Sequence, residues 1–190
     1  DHQQLRQETA TVFDIIEDHP SLDDRLIGTG ILRTEDAAEF GCTGFVGKAS
    51  GQSFDVRVHA PYPPYDGLGL QVPLFQQGDV AARVRVRMRE IGESLGALDQ
   101  LLDQMAPGAI HASLPVPGKG VEGLGVVDGW RGEILCFVRM DTQGRIARFF
   151  PRDPSWFSWL ALERLIHGNI VPDFPVCNKS INASYSGHDL

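Results

Sequence analysis

From Asp79 to Met105 one pattern repeats: Val84, Met88, Ile91, Leu95, Leu98, Leu102 and Met105 follow at alternating steps of four and three. Those steps line apolar side chains along one side of a long helix, with Asp79 placed to cap its first turn. The seam predicts core packing in a helical bundle. Arg83, Arg85, Arg87 and Arg89 then read as the solvated or salt-bridged face of that helix. A second helical pattern (Leu5, Thr9, Val12, Phe13, Ile16) runs from His2 to Asp18 and stops before Pro20. A short helix is predicted from Thr34, its N-cap, to Gly41 just past its end, and a last one over Trp156 to His167, capped by Ser155 and closed by Gly168 and Asn169. Between the long and last helices the period changes to two. Gly132 to Met140 and Arg145 to Phe150 flank Asp141-Thr-Gln-Gly144 as a hairpin, and Gly125 to Asp128 supplies a third strand.

Two stretches lack either period. Pro61 to Gly78 is rich in proline and glycine but keeps Tyr62, Tyr65 and Phe75, so it reads as an ordered loop lying on helices. His111 to Val121 reads as a connection. The tail from Ile170 alternates Ile170, Val171, Phe174, Val176 and Ile181 with Asp173, Asn178, Lys179 and Asn182, which suits a docked terminus. Together these elements predict an α+β fold, mainly a helical bundle with a small antiparallel β-sheet, as one domain over residues 1–190. The chain opens inside a helical pattern, and so is expected to be a piece of a longer protein.

Composition narrows the function classes. The 190 residues carry a formal charge of −8, which argues against a nucleic-acid footprint. No apolar run is long enough to span a bilayer, and the polar start is not a signal peptide. Cys42, Cys136 and Cys177 lie far apart and read as three buried small hydrophobes in a reducing compartment. Gly41-Cys-Thr-Gly44 and Gly47-Lys-Ala-Ser-Gly51 are dense in glycine. Without a strand–loop–helix setting they signal close backbone packing rather than a phosphate cradle. Ser184, His188 and Asp189 crowd one tail without a nucleophile elbow and do not make a hydrolase triad.

A series of ordered motifs points further. Asp24-Arg25, Gly28-Thr-Gly30, Gly41-Cys-Thr-Gly44, Ala49-Ser-Gly51, Asp55-Val-Arg57, Pro61-Tyr62, Tyr65, Val72-Pro73 and Gly78-Asp79 are followed by Arg131-Gly-Glu133 and the tail Asn182-Ala-Ser-Tyr-Ser-Gly-His-Asp-Leu190. In order and spacing these resemble the nickel–iron hydrogenase large-subunit superfamily. They look like the C-terminal half of the hydrogenase-related subunit of NADH-quinone oxidoreductase (complex I) and of formate hydrogenlyase or hydrogenase-3-type large subunits. Phe45 stands where that superfamily has proline and Lys48 where it has arginine. Asp128-Gly-Trp replaces its commoner Glu-Ala-Pro ahead of Arg131.

The resemblance implies a mainly helical redox-coupling subunit of a membrane-associated oxidoreductase, cytoplasmic and peripheral on the inner face of the cell membrane, and inactive as an isolated chain. It implies a missing N-terminal half, an iron–sulfur small subunit and membrane subunits as partners. A cavity between them would take a quinone or related acceptor. Ser184 and Gly187 fall where hydrogenases carry their two C-terminal nickel-binding cysteines, so no metal is expected in this chain; an active nickel–iron hydrogenase is the less favoured reading, and a non-catalytic scaffold is the rival. The cavity candidates are Arg131, which such enzymes hold over the metal, with Glu133, Asp173 and His188. Asp173 is the expected carboxylate partner of Arg131, whose role as a functional cation or as a structural ion pair stays open. His188 is a candidate proton gate. An exposed apolar surface is expected where the missing half docks.

Overall fold

The computed structural model describes residues 2–113 and 120–189. Helices α1 (His2–Glu17), α2 (Pro20–Leu26), α3 (Thr34–Glu39), α4 (Gly44–Ala49) and α5 (Val56–His59) lead to the long helix α6 (Val80–Gln104). Strands β1 (Glu122–Gly129), β2 (Gly132–Met140) and β3 (Ile146–Arg152) follow, then α7 (Ser155–Leu165), α8 (Phe174–Ile181) and the single turn α9 (Tyr185–His188). The strands form one antiparallel sheet in the order β1-β2-β3. The mainly helical fold with a small antiparallel sheet is the one that the periodicities predict. Part of the expected connection from His111 to Val121, residues 114–119, lies outside the described residues.

Leu32, Phe45, Val46, Val86, Leu162, Leu165, Cys177 and Ile181 meet in the core, so α4, the start of α6, α7 and α8 share one apolar centre. The tail is therefore docked, as expected, but as helix rather than alternating chain. Asn182 closes α8 in the left-handed region, at φ 47°. The Pro61 to Gly78 loop lies against the body, with Leu68 buried and the Phe75 N–H bonded to the Lys48 carbonyl.

Several local expectations change. Asp79 caps α6 as predicted, accepting from the Ala82 N–H at 2.7 Å. Thr34 and Ser155 do not cap; each is the first residue of its helix. The Ser155 hydroxyl instead accepts from the Ser184 N–H at 2.9 Å, while Asp153 accepts from the Ser155 N–H. Cys42 and Cys177 are buried, but Cys136 sits half-buried on β2.

The seam of α6 is core only in part. Met88 and Leu95 are buried, whereas Ile91, Leu98, Leu102 and Met105 are exposed. The densest burial is at the start of the helix, where Val80, Ala81, Ala82, Arg83 and Val86 are buried, with Met88, Leu95 and Ala97 following further along.

Arg83 overturns the reading of the arginines as a solvated face. It is 0% exposed. Its guanidinium donates to the Gly78 carbonyl at 2.6 Å, the Gly30 carbonyl at 2.8 Å and the Ser180 hydroxyl at 3.0 Å. Burial pulls its pKa down to about 10, with Cys177 and Asp79 opposing the shift. Arg83→Met should leave the Gly30 carbonyl and the Ser180 hydroxyl without a donor, with the Gly78 carbonyl still held by the Leu32 N–H, and lower stability by ~3 kcal/mol, against less than ~0.5 kcal/mol for Arg85→Met on the exposed face. Urea denaturation of both variants measures the difference.

Candidate functional site

The glycine-dense segment ahead of α4 and the corner between β1 and β2 lie backbone to backbone. Gly44 has φ +59° and packs on the Arg131 carbonyl with no room for a Cβ; Gly132 is similarly pressed on Thr43. This is the close packing read from the glycines, and it fixes the corner that carries Trp130 and Arg131. Arg131 Nε donates to the Asn182 carbonyl at 2.6 Å, so the corner does meet the tail. Its guanidinium carbon lies 4.5 Å from the centre of the Trp130 ring.

The carboxylate partner expected for Arg131 is not there. Asp173 pairs with Arg25, which also donates to the Pro172 carbonyl. Glu133 pairs with Arg152. His188 is exposed and lines a different pocket. The four cavity candidates therefore do not converge. A backbone carbonyl at the end of a tail helix met Arg131 first, and a turn of chain keeps Asp173 beside α2.

The tail positions have taken structural duties. Ser184 caps α9 by accepting from the Gly187 N–H at 3.0 Å. Gly187 is buried with its carbonyl bonded to Trp156 Nε1, and a Cβ there would lie 2.6 Å from Asp153 Cγ. A hydroxyl committed to a cap and a glycine walled in by Asp153 offer no soft sulfur and no room for one, so these residues do not fit a nickel site. Among the described residues no three His, Cys, Asp or Glu side chains gather as a metal-binding group.

A second cluster carries more chemistry. Lys48, 1% exposed, donates to Asp55 at 2.7 Å and to Glu90 at 2.6 Å. Burial alone would pull the Lys48 ammonium down, but the two carboxylates outweigh it and leave its pKa raised. Arg57 grips Asp55 with two side-chain bonds of 3.0 and 2.8 Å. Burial raises the Asp55 carboxyl, yet these bonds and the Lys48 bond hold it well below the usual range. Asp128 accepts from the Val56 N–H at 2.8 Å. Burial, and then the charge of Asp55, push its pKa up to about 6.

These groups floor a cleft of about 490 Å³ between α1, α6 and the end of β1. Leu5, Ile91, Leu95, Leu98 and Trp130 form apolar walls; Arg57, Arg87, Glu90 and Asp128 supply the polar floor. Phe45 and Trp130 stack at 5.5 Å, and the Arg87 guanidinium lies 5.3 and 4.9 Å from their ring centres. Among the described residues Arg87 makes no hydrogen bond or ion pair. Burial, and then Arg131, lower its pKa. It is a planar donor group held by stacking with its N–H groups left over.

The sequence signals for this cluster were present but weak. Lys48 stands in a helix otherwise made of Gly, Phe, Val and Ala, and Glu90 lies seven residues after Arg83 on the side of α6 that turns inward.

The sequence pattern of one family, respiratory-chain NADH dehydrogenase, 49 Kd subunit, matches residues 2–119. The chain belongs to this family. Among its relatives, the carbon monoxide-induced hydrogenase of Rhodospirillum rubrum is 31% identical over 175 residues, 92% of this chain and 48% of that protein. Formate hydrogenlyase subunit 5 of Escherichia coli is 28% identical over 189 residues, 98% of this chain and 33% of that protein. A solved structure of the membrane-bound sulfane sulfur reductase, an archaeal respiratory membrane complex, matches all of this chain and 53% of its own with a TM-score of 0.91 at 26% identity. The chain thus spans about half the length, or less, of the relatives it matches. The family is that of an oxidoreductase subunit of respiratory complexes. Lys48, Asp55 and Arg57 of the buried cluster, with Glu90, fall within the matched residues; Asp128 and Arg131 lie beyond them.

The cluster makes stability depend on pH in a defined way. Asp128 has a folded pKa above its unfolded value, so its contribution is fully present below about pH 4 and is lost as pH rises through about 6. Asp128→Asn keeps an acceptor for the Val56 N–H without the charge. It should match the parent near pH 4 and exceed it by ~1–2 kcal/mol near pH 7.5. Lys48→Met leaves part-buried Glu90 without its cation and Asp55 with Arg57 alone, and should cost ~3 kcal/mol at neutral pH. Urea melts at both pH values measure these effects.

Proposed function

We propose that this chain is the redox-coupling part of a large subunit in a membrane-associated complex of the NADH-quinone oxidoreductase or formate hydrogenlyase kind, and that its cleft takes a quinone or related acceptor. One observation carries the reading. An apolar-walled cleft ends on a guanidinium, Arg87, that makes no hydrogen bond among the described residues, and on a carboxyl, Asp128, whose pKa is pushed up to about 6. A carbonyl-bearing ring needs those elements: apolar walls, a fixed donor for its oxygen and a group able to pass a proton as charge accumulates there. The names of the relatives support the class of complex.

The partners follow from the same surfaces. No helix among the described residues is long and apolar enough to cross a membrane. Membrane contact then comes through other subunits, on the inner face. The exposed Leu102 on α6 and Met105 just past it, with Val12 on α1, suit packing against the part of the relatives' length that this chain does not span, and against an iron–sulfur subunit. The same surface favours the second reading, a scaffold that only holds subunits together.

Quinone turnover separates the two. In the assembled complex, Asp128→Asn should leave subunit composition unchanged and slow reduction of a short-chain quinone by about 100-fold. Unchanged turnover favours the scaffold. We further propose that the tail holds no nickel, given the capping role of Ser184 and the crowding at Gly187. Elemental analysis of protein produced in nickel-containing medium should find none in stoichiometric amount; tightly held nickel would restore the hydrogenase reading.

A further inference from the structure

The pocket that His188 lines is separate from the acceptor cleft: no residue borders both. It has a volume of about 470 Å³ and lies between α7 and the tail. Its walls are aromatic. Trp159 and Tyr185 approach at 4.6 Å between ring centres, and Phe174 adds a third ring. Trp159 is held from behind by its Nε1 bond to the Ser184 carbonyl, and Asn178 donates to the Tyr185 hydroxyl. The rings are therefore set by the docked tail before any ligand arrives.

Two carboxylates, Glu163 and Asp189, share the rim. Among the described residues neither makes a hydrogen bond or ion pair, and no lysine or arginine lines the pocket. The site thus presents π-faces and negative charge together; among its lining residues His188 is the one side chain able to carry positive charge. Ring faces attract cations through their negative quadrupole, and a carboxylate beside them favours the same charge. An anion meets two like charges here, and a neutral ring leaves both acids unanswered.

We propose that this pocket binds an organic cation on an apolar stem, an alkylguanidinium or alkylammonium group. The stem lies on Trp159 and Phe174, and the charged head sits between Tyr185, Glu163 and Asp189. The chemistry is shared by a free amine or guanidine and by an arginine or lysine side chain of a docking protein.

Calorimetric titration of the isolated protein with n-butylguanidinium, n-butylurea and a capped Gly-Arg-Gly peptide tests this. Butylguanidinium should bind saturably, and the uncharged urea at least ~5-fold more weakly. Glu163→Gln and Asp189→Asn should each weaken the cation by ~5-fold, and so should Tyr185→Leu, which keeps both acids but removes a ring. Tighter binding of the peptide than of butylguanidinium assigns the site to a partner's side chain; the reverse order assigns it to a free cation. Equal affinity for butylguanidinium and butylurea overturns the proposal. So does unchanged affinity in all three variants, or no saturation of butylguanidinium up to ~20 mM.

Discussion

A guanidinium buried without a carboxylate holds this fold together. Arg83 directs its donors to two loop carbonyls and one hydroxyl, from Gly30, Gly78 and Ser180. Each acceptor belongs to a different segment, so one side chain on α6 fixes two loops and the tail helix at once. A cation in such a place is tolerable only when its donors are satisfied. The demand is strict in geometry, which is why the tail docks in one position. That position brings the Asn182 carbonyl to Arg131, and Arg131 in turn lies on Trp130, the wall of the cleft.

The second buried cluster follows the opposite rule. Lys48 meets two carboxylates, and Asp55 meets two cations, so charge answers charge. The arrangement joins α4, α5 and α6 beneath the cleft and leaves Asp128 beside an ionised neighbour. A carboxyl placed there ionises less readily than a solvated one, and its pKa rises to about 6. Arg87 is the complement: stacking on Phe45 and Trp130 fixes its plane while its donors stay unused.

The two pockets therefore suit different ligands, although one chain of contacts supports both. The cleft between α1, α6 and the end of β1 has cations and carboxylates in balance on its floor. The tail pocket has rings, two acids and His188, with no lysine or arginine among its lining residues. Ser184 and Gly187 line neither pocket; they shape α9 and brace the tail aromatics.

The sequence by itself determined the long elements and the family. The four-three spacing marked α6, the alternation around Asp141-Thr-Gln-Gly144 marked the hairpin, and the dense glycines marked close backbone packing, whose partner, the strand corner, only the structure shows. Local rules govern such features, and the residues concerned are close in sequence or constrained by backbone alone. The burial of Arg83, the partner of Arg131 and the floor of the cleft were decided only by tertiary structure. A charged residue within an apolar stretch reads as solvated, because the acceptors that make its burial possible lie 53 and 97 positions away. Asp173 and Arg131 looked like natural partners by charge, yet pairing depends on which group reaches first in space. Arg25 reached Asp173 across a separation of 148 residues, and a backbone carbonyl, which every residue carries and no sequence pattern marks, took Arg131.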